Sequence, residues 1–346
     1  MKILFFSDSH FHHTHRFSHI TGEGFTVREL EQYECVNDIL KIADEEGVHK
    51  IIFGGDIFGP VGDNISAQTL MIIGLFIGKI TEKYPLEIIV GNHDQAVNTQ
   101  NYNIHKIECF KYWPNITIYD QPTINDNFVY MPYSYSDEYA ESFLQAIPDK
   151  ENKVVVSHLE LKNIPFGNGI FSQHGVSIDI LDQFKKVFQG HYHSICKYGK
   201  NIEIIGSMQK FSFKDMGSAR NNIIIYDTET NQTKRRSFNA PNWLTFTDEN
   251  INDILKADSN NYVKIEVSTD ILLTPDIMKK LDTFKGKDIH IDVNRISINK
   301  EMLAENKLET VNEIDILKKF ISESDNSDKQ KEDLLQEGKR LLDISR

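Results

Sequence analysis

The chain has 346 residues, enough for one large core with an appendage or for two cores. With 40% hydrophobic and 26% charged residues it is a globular chain, and an intrinsically disordered one is excluded. Acidic residues outnumber basic ones, 51 to 38, and the net charge of −13 argues against tight DNA binding by the surface alone, while bound cations or a partner subunit would alter that balance. The most apolar stretch, Met71 to Ile80, is interrupted by Gly74, Gly78 and Lys79, so no membrane span is expected. Cys35, Cys109 and Cys196 show no pairing logic and read as free thiols of a reducing cytosol.

Met1 to Asp8 begins like a signal peptide, but its apolar part is short and an acidic residue follows, so it reads as a first strand. A histidine-rich loop, His10 to Gly24, comes next. Thr26 with Glu29 fits a capping box and Gly47 fits a left-handed stop, which predicts a helix between them. Lys50 to Phe53 reads as the second strand. A helix over Ser66 to Tyr84 is closed by Pro85, and Leu86 to Val90 is the third strand. This alternation predicts an α/β sheet with parallel neighbours, whose ligands sit at the carboxyl ends of the strands. Ile116 to Tyr119, Phe128 to Met131 and Lys153 to Val156 read as further strands. Four more runs, Lys186 to Phe188, Ile202 to Ile205, Asn222 to Tyr226 and Lys234 to Phe238, leave little room for helices and predict a mainly antiparallel second sheet. Tyr262 to Val267, Pro275 to Phe284 and Asp288 to Val293 read as strand, helix, strand, a small α+β unit. Val311, Ile314, Leu317, Phe320 and Ile321 recur at helical spacing, as do Leu334, Leu335, Leu341 and Leu342 after a polar turn, predicting a terminal helical pair. The expected domains are 1–240, 241–300 and 301–346.

Five apolar runs end in side chains able to hold a metal. The most distinctive is Val187 to His193, where glycine opens a loop carrying His191 and His193; the others lead to Asp8 and His10, to Asp56, to Asn92 with His93 and Asp94, and to His158. Asp8, His10, Asp56, Asn92, His158, His191 and His193 offer carboxylate, amide and imidazole donors without a thiolate, a mix suited to Mn²⁺, Fe²⁺ or Zn²⁺. Seven donors are too many for one ion and fit two that share a carboxylate. Asp56, after a Gly-Gly turn, is the expected bridge. Two ions about 3.5–4 Å apart would clamp a phosphate and lower the pKa of a bound water, whose hydroxide would attack phosphorus in line. Taken singly, Asp8 reads as a helix cap, His158 as a core histidine and Gly55-Asp56 as a turn. Their joint order at strand ends favours the metal pair. His12, His13, His15 and His19 read as a solvated loop, and His105, His174 and His290 as structural or surface residues.

The motifs Asp8-x-His10, Gly55-Asp56, Gly91-Asn92-His93-Asp94, Ser157-His158 and Gly190-His191-Tyr192-His193 resemble, in this order, those of the calcineurin-like metallophosphoesterases over residues 1–210. The resemblance implies an α/β (α+β) four-layer sandwich, two mixed sheets flanked by helices. It assigns Asp8, His10, Asp56 and His193 to one ion and Asp56, Asn92, His158 and His191 to the other. It makes His93 a phosphate-contacting group that assists the leaving oxygen, and Asp94 the residue holding that imidazole.

Within this family the chain is most similar to the SbcD-type recombination and repair nucleases of bacteria and phages. Gly206-Ser207 with Phe211-Ser212-Phe213 resembles the segment those nucleases carry after their His-x-His. Residues 250–300 resemble their DNA-capping domain, and 310–344 resemble the tail that docks on an SMC-like ATPase of SbcC type. The resemblance implies a DNA exonuclease/endonuclease subunit with two divalent ions, Mn²⁺ first, with Mg²⁺, Fe²⁺ or Zn²⁺ as alternatives. It implies DNA and the SMC-like ATPase as partners, a homodimer with the Ser66 to Tyr84 helix as candidate face, and the cytosol of a bacterium or phage-infected host. No Walker-type loop is present, so ATP use would fall to the partner. Two departures stand out. Phe11-His12 replaces the Leu-Gly that often follows the first motif, and Gly59-Pro60 stands where some members carry a histidine that aids exonuclease action. The balance of exonuclease and endonuclease action therefore stays open. A small-molecule phosphodiesterase or phosphatase, and a non-catalytic scaffold, are the alternative readings; the intact donor set speaks against the scaffold.

Overall fold

A computed structural model of the chain describes residues 1–13, 18–59, 65–100, 103–164, 171–211, 213, 222–247, 249–258, 260–268, 275–281, 283 and 290–294. The chain opens with β1 (Lys2–Phe6), α1 (Val27–Glu46), β2 (Lys50–Phe53), α2 (Ala67–Thr81) and β3 (Leu86–Ile89). The limits of α1 are set as expected. The Thr26 hydroxyl accepts from the Glu29 amide, the Glu29 carboxylate accepts from the Thr26 amide, and Gly47 ends the helix at φ 66°. A ribbon follows, β4 (Gln95–Asn98) with β5 (Asn103–His105), then β6 (Ile116–Tyr119), β7 (Thr123–Asn125), β8 (Phe128–Met131), α3 (Asp137–Ala146), β9 (Val154–Ser157) and α4 (Ile178–Leu181). After β10 (Lys186–Gln189) come β11 (Lys197–Tyr198), β12 (Ile202–Ile204), β13 (Asn222–Asp227) and β14 (Gln232–Ser237).

Among the described residues these strands form two six-stranded sheets, ordered β14-β13-β1-β2-β3-β6 and β11-β12-β10-β9-β8-β7. The first is parallel from β1 through β6, with β13 and β14 antiparallel at one edge. The expected antiparallel second sheet is corrected. β8, β9, β10 and β12 run parallel, with β7 and β11 antiparallel at the edges. The link from β10 to β12 carries the His191–His193 loop and β11 back across the sheet end, long enough for a parallel return without a helix. β13 and β14 leave that sheet altogether. Ile223 and Ile225 of β13 pack with the helices while Ile224 and Tyr226 face the other sheet, so β13 is buried on both faces beside β1.

The same two-residue period builds the four layers. In β1, Leu4 and Phe6 pack against α1 and α2, while Ile3 and Phe5 enter the core between the sheets. There Phe5 stacks on Phe188 of β10 with centroids 4.0 Å apart. On the far side, Val155 and Val187 pack with Ala140 and Leu144 of α3 and with Leu181 of α4. The described part of residues 1–237 therefore forms a helix–sheet–sheet–helix sandwich.

A third sheet, β15-β16-β17, combines β15 (Trp243–Thr247), β16 (Tyr262–Ser268) and β17 (His290–Asn294) with helix α5 (Pro275–Leu281). It has its own small core of Phe246, Ile251, Ile254, Val263, Ile265 and Ile277. The expected strand, helix and strand are present, and β15, unforeseen, pairs parallel to β16. The chain divides into the units Met1–Val293 and Asn294–Arg346. The expected terminal helical pair lies outside the described residues, as does His15. Cys35, Cys109 and Cys196 are free thiols. No helix of the described residues is long and apolar enough to cross a membrane.

Candidate metal centre

Each expected donor follows the carboxyl end of a parallel strand. Asp8 and His10 follow β1, Asp56 follows β2, and Asn92 follows β3. His158 follows β9, and His191 with His193 follows β10. Because both sheets end at the same edge of the sandwich, the loops meet and bond to one another. Asp8 N donates to Gly55 O at 2.9 Å, His10 N to Asp56 O at 3.1 Å and Gly190 N to Ser157 O at 2.8 Å. Gln32, a buried polar residue on the inner face of α1, donates from Nε2 to the carbonyls of Ser9 and His10 at 2.7 and 3.1 Å.

The seven donors converge. His10 Nε2 lies 3.0 Å from His193 Nε2, 3.8 Å from Asp8 Oδ1 and 3.9 Å from Asp56 Oδ2. Asp56 Oδ2 lies 3.1 Å from His158 Nε2, and Asn92 Oδ1 lies 3.0 Å from His191 Nδ1. Among the described residues four sets of ligand atoms fall within 4.8 Å, and three are here: Asp8 with His10 and His193, His10 with Asp56 and His93, and Asp56 with His158 and His191; the fourth is His105 with Glu108 and Asp120. Asp56 stands between the two ends of the cluster.

The backbone is strained at this point. Asp8, His10, Asp56 and His191 have φ of 52°, 46°, 60° and 71°, in the left-handed region. Such residues cost about 1–3 kcal/mol each and persist where surrounding structure over-determines them. The glycines are needed for closeness. A Cβ on Gly91 would overlap the Asp56 carboxylate, and one on Gly55, whose φ is 96°, would overlap the His158 ring.

The hydrogen bonds fix which nitrogens face inward. His158 Nδ1 donates to Gly54 O at 2.6 Å, and His10 Nδ1 donates to Phe58 O at 3.2 Å. Carbonyls only accept, so each Nδ1 carries a proton and each ring turns its Nε2 toward Asp56 or His193. His158 Nε2 and Asp8 Oδ1 are buried and make no hydrogen bond. An unsatisfied buried polar atom costs about 1–3 kcal/mol, and both atoms face into a cluster of acceptors that calls for positive charge, a proton on His158 or a bound cation. Burial drops His10 and His191 to about 3, keeping both imidazoles neutral. Burial works against the Asp56 carboxylate, but His158 and then His10 and His93 hold it below the usual carboxylate range. Burial pushes Asp8 up to about 6, and it would depress His158, which Asp56 instead holds up to about 9. His10 and His191 are thus neutral, and His158 holds a proton beside the Asp56 carboxylate that a cation would displace on binding; the donor set fits a divalent ion.

Two expectations need correcting. Asp94 does not hold the His93 imidazole: His93 Nδ1 donates to the Gly59 carbonyl. The buried Asp94 carboxylate instead accepts from the amides of Asp56, Ile57 and Gly91 at 2.9 Å each and of Phe58 at 3.1 Å. Burial raises it to about 7, with the Asp56 charge adding to the shift. It organises the Asp56 loop, since three amides of that loop and the Gly91 amide converge on its two oxygens. His13 is not part of a solvated loop either. Its Nδ1 lies 2.8 Å from Glu29 Oε2, a fully buried carboxylate. Gln32 and the Gly59 carbonyl were not foreseen. Gln32 left one signal, an amide side chain within a stripe of buried apolar residues.

A family model described as "Calcineurin-like phosphoesterase" matches residues 1–195. "Exonuclease subunit 1" of Enterobacteria phage T4 is 27% identical over 208 residues, 59% of this chain and 60% of that protein. "Putative phosphoesterase 078R" of Invertebrate iridescent virus 3 is 28% identical over 225 residues, covering 62% of this chain and 59% of its own. "Putative phosphoesterase 244L" of Invertebrate iridescent virus 6 is 30% identical over 223 residues, 61% of this chain and 71% of its own. The chain thus spans about three fifths of the length of the first two relatives.

Proposed function

Because the chain belongs to the calcineurin-like phosphoesterase family, we propose that it is a metal-dependent phosphodiesterase acting on DNA, a nuclease subunit that pairs as a homodimer and works with an SMC-like ATPase in the cytosol. The observation that carries this reading is the convergence of seven donors with Asp56 shared between two groups of them. A phage relative described as an exonuclease subunit supports the choice of DNA. Asp8, His10, Asp56 and His193 would hold one divalent cation and Asp56, Asn92, His158 and His191 a second, with Mn²⁺ the expected ion. Such cations supply charge for a phosphate and lower the pKa of a water beside it. Asp94 fixes the Asp56 loop, and the Gly54 and Phe58 carbonyls orient His158 and His10. His93 commits its Nδ1–H to Gly59, so its Nε2 carries a proton only as imidazolium, and in that state it donates to the leaving sugar oxygen. The homodimer would use α2, where Leu70, Met71 and Leu75 are exposed.

The test is cleavage of labelled DNA by the purified protein with Mn²⁺, with and without the ATPase. His93→Ala is expected to lower kcat while metal content stays unchanged. DNA left intact by protein, partner and Mn²⁺ together refutes the reading. A second reading, a phosphodiesterase or phosphatase of small esters, is favoured by the iridescent-virus relatives and the net charge of −13. Activity on small esters that far exceeds activity on DNA selects it.

A further inference from the structure

Phe211 is a partly exposed hydrocarbon side chain at the edge of a cluster made otherwise of charged and polar groups. Its ring meets the His10 ring edge-on, with centroids 5.1 Å apart at 86°, and the His193 ring with centroids 5.6 Å apart at 66°. It therefore stands beside one end of the donor set. Its backbone is tied from two sides. The Phe211 carbonyl accepts from Arg28 Nη2 at 3.2 Å, and the Lys210 carbonyl accepts from Trp243 Nε1 at 2.9 Å. These anchors belong to one stack: the Arg28 guanidinium lies 5.2 Å from the Trp243 ring centroid, and Trp243 stacks on Tyr262 at 4.3 Å and 13°. The Tyr262 hydroxyl donates to Glu31 of α1. The ring position is thus set by α1 and by the β15–β16 unit together.

A phenyl ring has no lone pair to ligate a divalent cation and no N–H or O–H to donate to a phosphate. The part of a nucleic acid that it can hold lies next to each phosphate: a base with a π-face. We propose that Phe211 is a substrate-specificity residue on which a nucleobase stacks when the neighbouring phosphate occupies the donor cluster. The proposal rests on the nuclease reading above. Because the ring is already positioned, stacking costs little extra ordering, and the preference extends to any base because each has a π-face.

The experiment uses the full chain with Mn²⁺ and single-stranded oligonucleotides whose terminal residue, at each end in turn, carries a base or is abasic. Wild type is expected to lose about tenfold in kcat/KM when the base is removed. Phe211→Leu, which keeps apolar bulk against the two imidazoles, should cleave both substrates at the wild-type abasic rate. Phe211→Trp should keep the discrimination. A terminal 2-aminopurine should change its fluorescence on binding to wild type and not to Phe211→Leu, a readout independent of turnover. Equal loss by Phe211→Leu on both substrates would mean that the ring only packs the histidines, and the proposal fails. Equal cleavage of both substrates by wild type also overturns it, while the nuclease reading stands. Cleavage of neither substrate by wild type, with the ATPase added as well, sinks the nuclease reading, and this proposal with it.

Discussion

Asp94 and Gly91 act on the same carboxylate from opposite directions. Asp94 gathers four amides, three from the loop that carries Asp56 and one from Gly91. In Asp94→Asn the new amide turns N–H donors toward some of those backbone donors and leaves them unpaired. A bond to the ionised carboxylate is worth about 1.5–3 kcal/mol, so above pH 7, where Asp94 is ionised, the variant should lose at least about 2 kcal/mol of stability in metal-free urea melts. Its Mn²⁺ affinity should fall as well, because the Asp56 loop loses its anchor. A melt and a titration matching wild type would refute that role for Asp94. Gly91→Ala tests the other side. Its Cβ would strike the Asp56 carboxylate, so kcat and metal affinity should drop at least tenfold while the melting midpoint changes less. The reverse pattern, intact activity in a destabilised protein, would show that the contact relaxes away from the site.

At the level of elements, one buried carboxylate joins the two sheets. Glu203 of β12 has a side chain 2% exposed and lies 2.5 Å from Lys186 Nζ of β10. Thr233 of β14, in the other sheet, donates to it at 2.7 Å, and Arg235 stands 3.8 Å away while donating to the carbonyls of Ile204 and Ile205. Burial works to raise the Glu203 pKa, but Lys186 and Thr233 outweigh it and the net shift is downward. A depressed carboxylate contributes stability that is present above its unfolded pKa, about 4.3, and is lost as pH falls through the folded value. Glu203→Gln should therefore be less stable than wild type at pH 7, and the gap in urea midpoint should close on acidification below about pH 4. A gap that widens in acid would reverse the sign of the argument. Elements with strong local signals were legible: α1 from its capping box and stop, and the parallel strands from apolar runs buried on both faces. α3 was not, because only Ala140 and Leu144 of its ten residues are buried, too sparse a helical period. The direction of β12 and the sheet that β13 joins depend on how the chain returns across the sandwich, which local pattern does not encode. The donors were legible because each follows an apolar strand. The groups that aim them, the Gly54, Phe58 and Gly59 carbonyls and the Asp94 carboxylate, were not, since backbone bonds leave no motif.

The whole molecule is an anion proposed to act on a polyanion. With 38 basic residues against 51 acidic ones, its long-range field repels DNA, and a protein that neutralises many phosphates with its own lysines and arginines is a poor description of it. The donor cluster offers a different source of positive charge. On the proposed reading its buried donors would hold cations, which would meet a phosphate at one point rather than along a surface. Metal removal should therefore do more than stop turnover. EDTA-treated protein should lose measurable affinity for a fluorescent oligonucleotide, and Mn²⁺ should restore it. With metal present, log affinity against log salt should have a shallow slope, because each phosphate neutralised by side chains adds only about 0.9 to it and few are expected. Anisotropy titrations across a salt series measure both. Tight binding in EDTA, with the steep slope of a multi-phosphate contact, would mean that a basic surface elsewhere in the chain binds the strand and that the cluster acts only after capture.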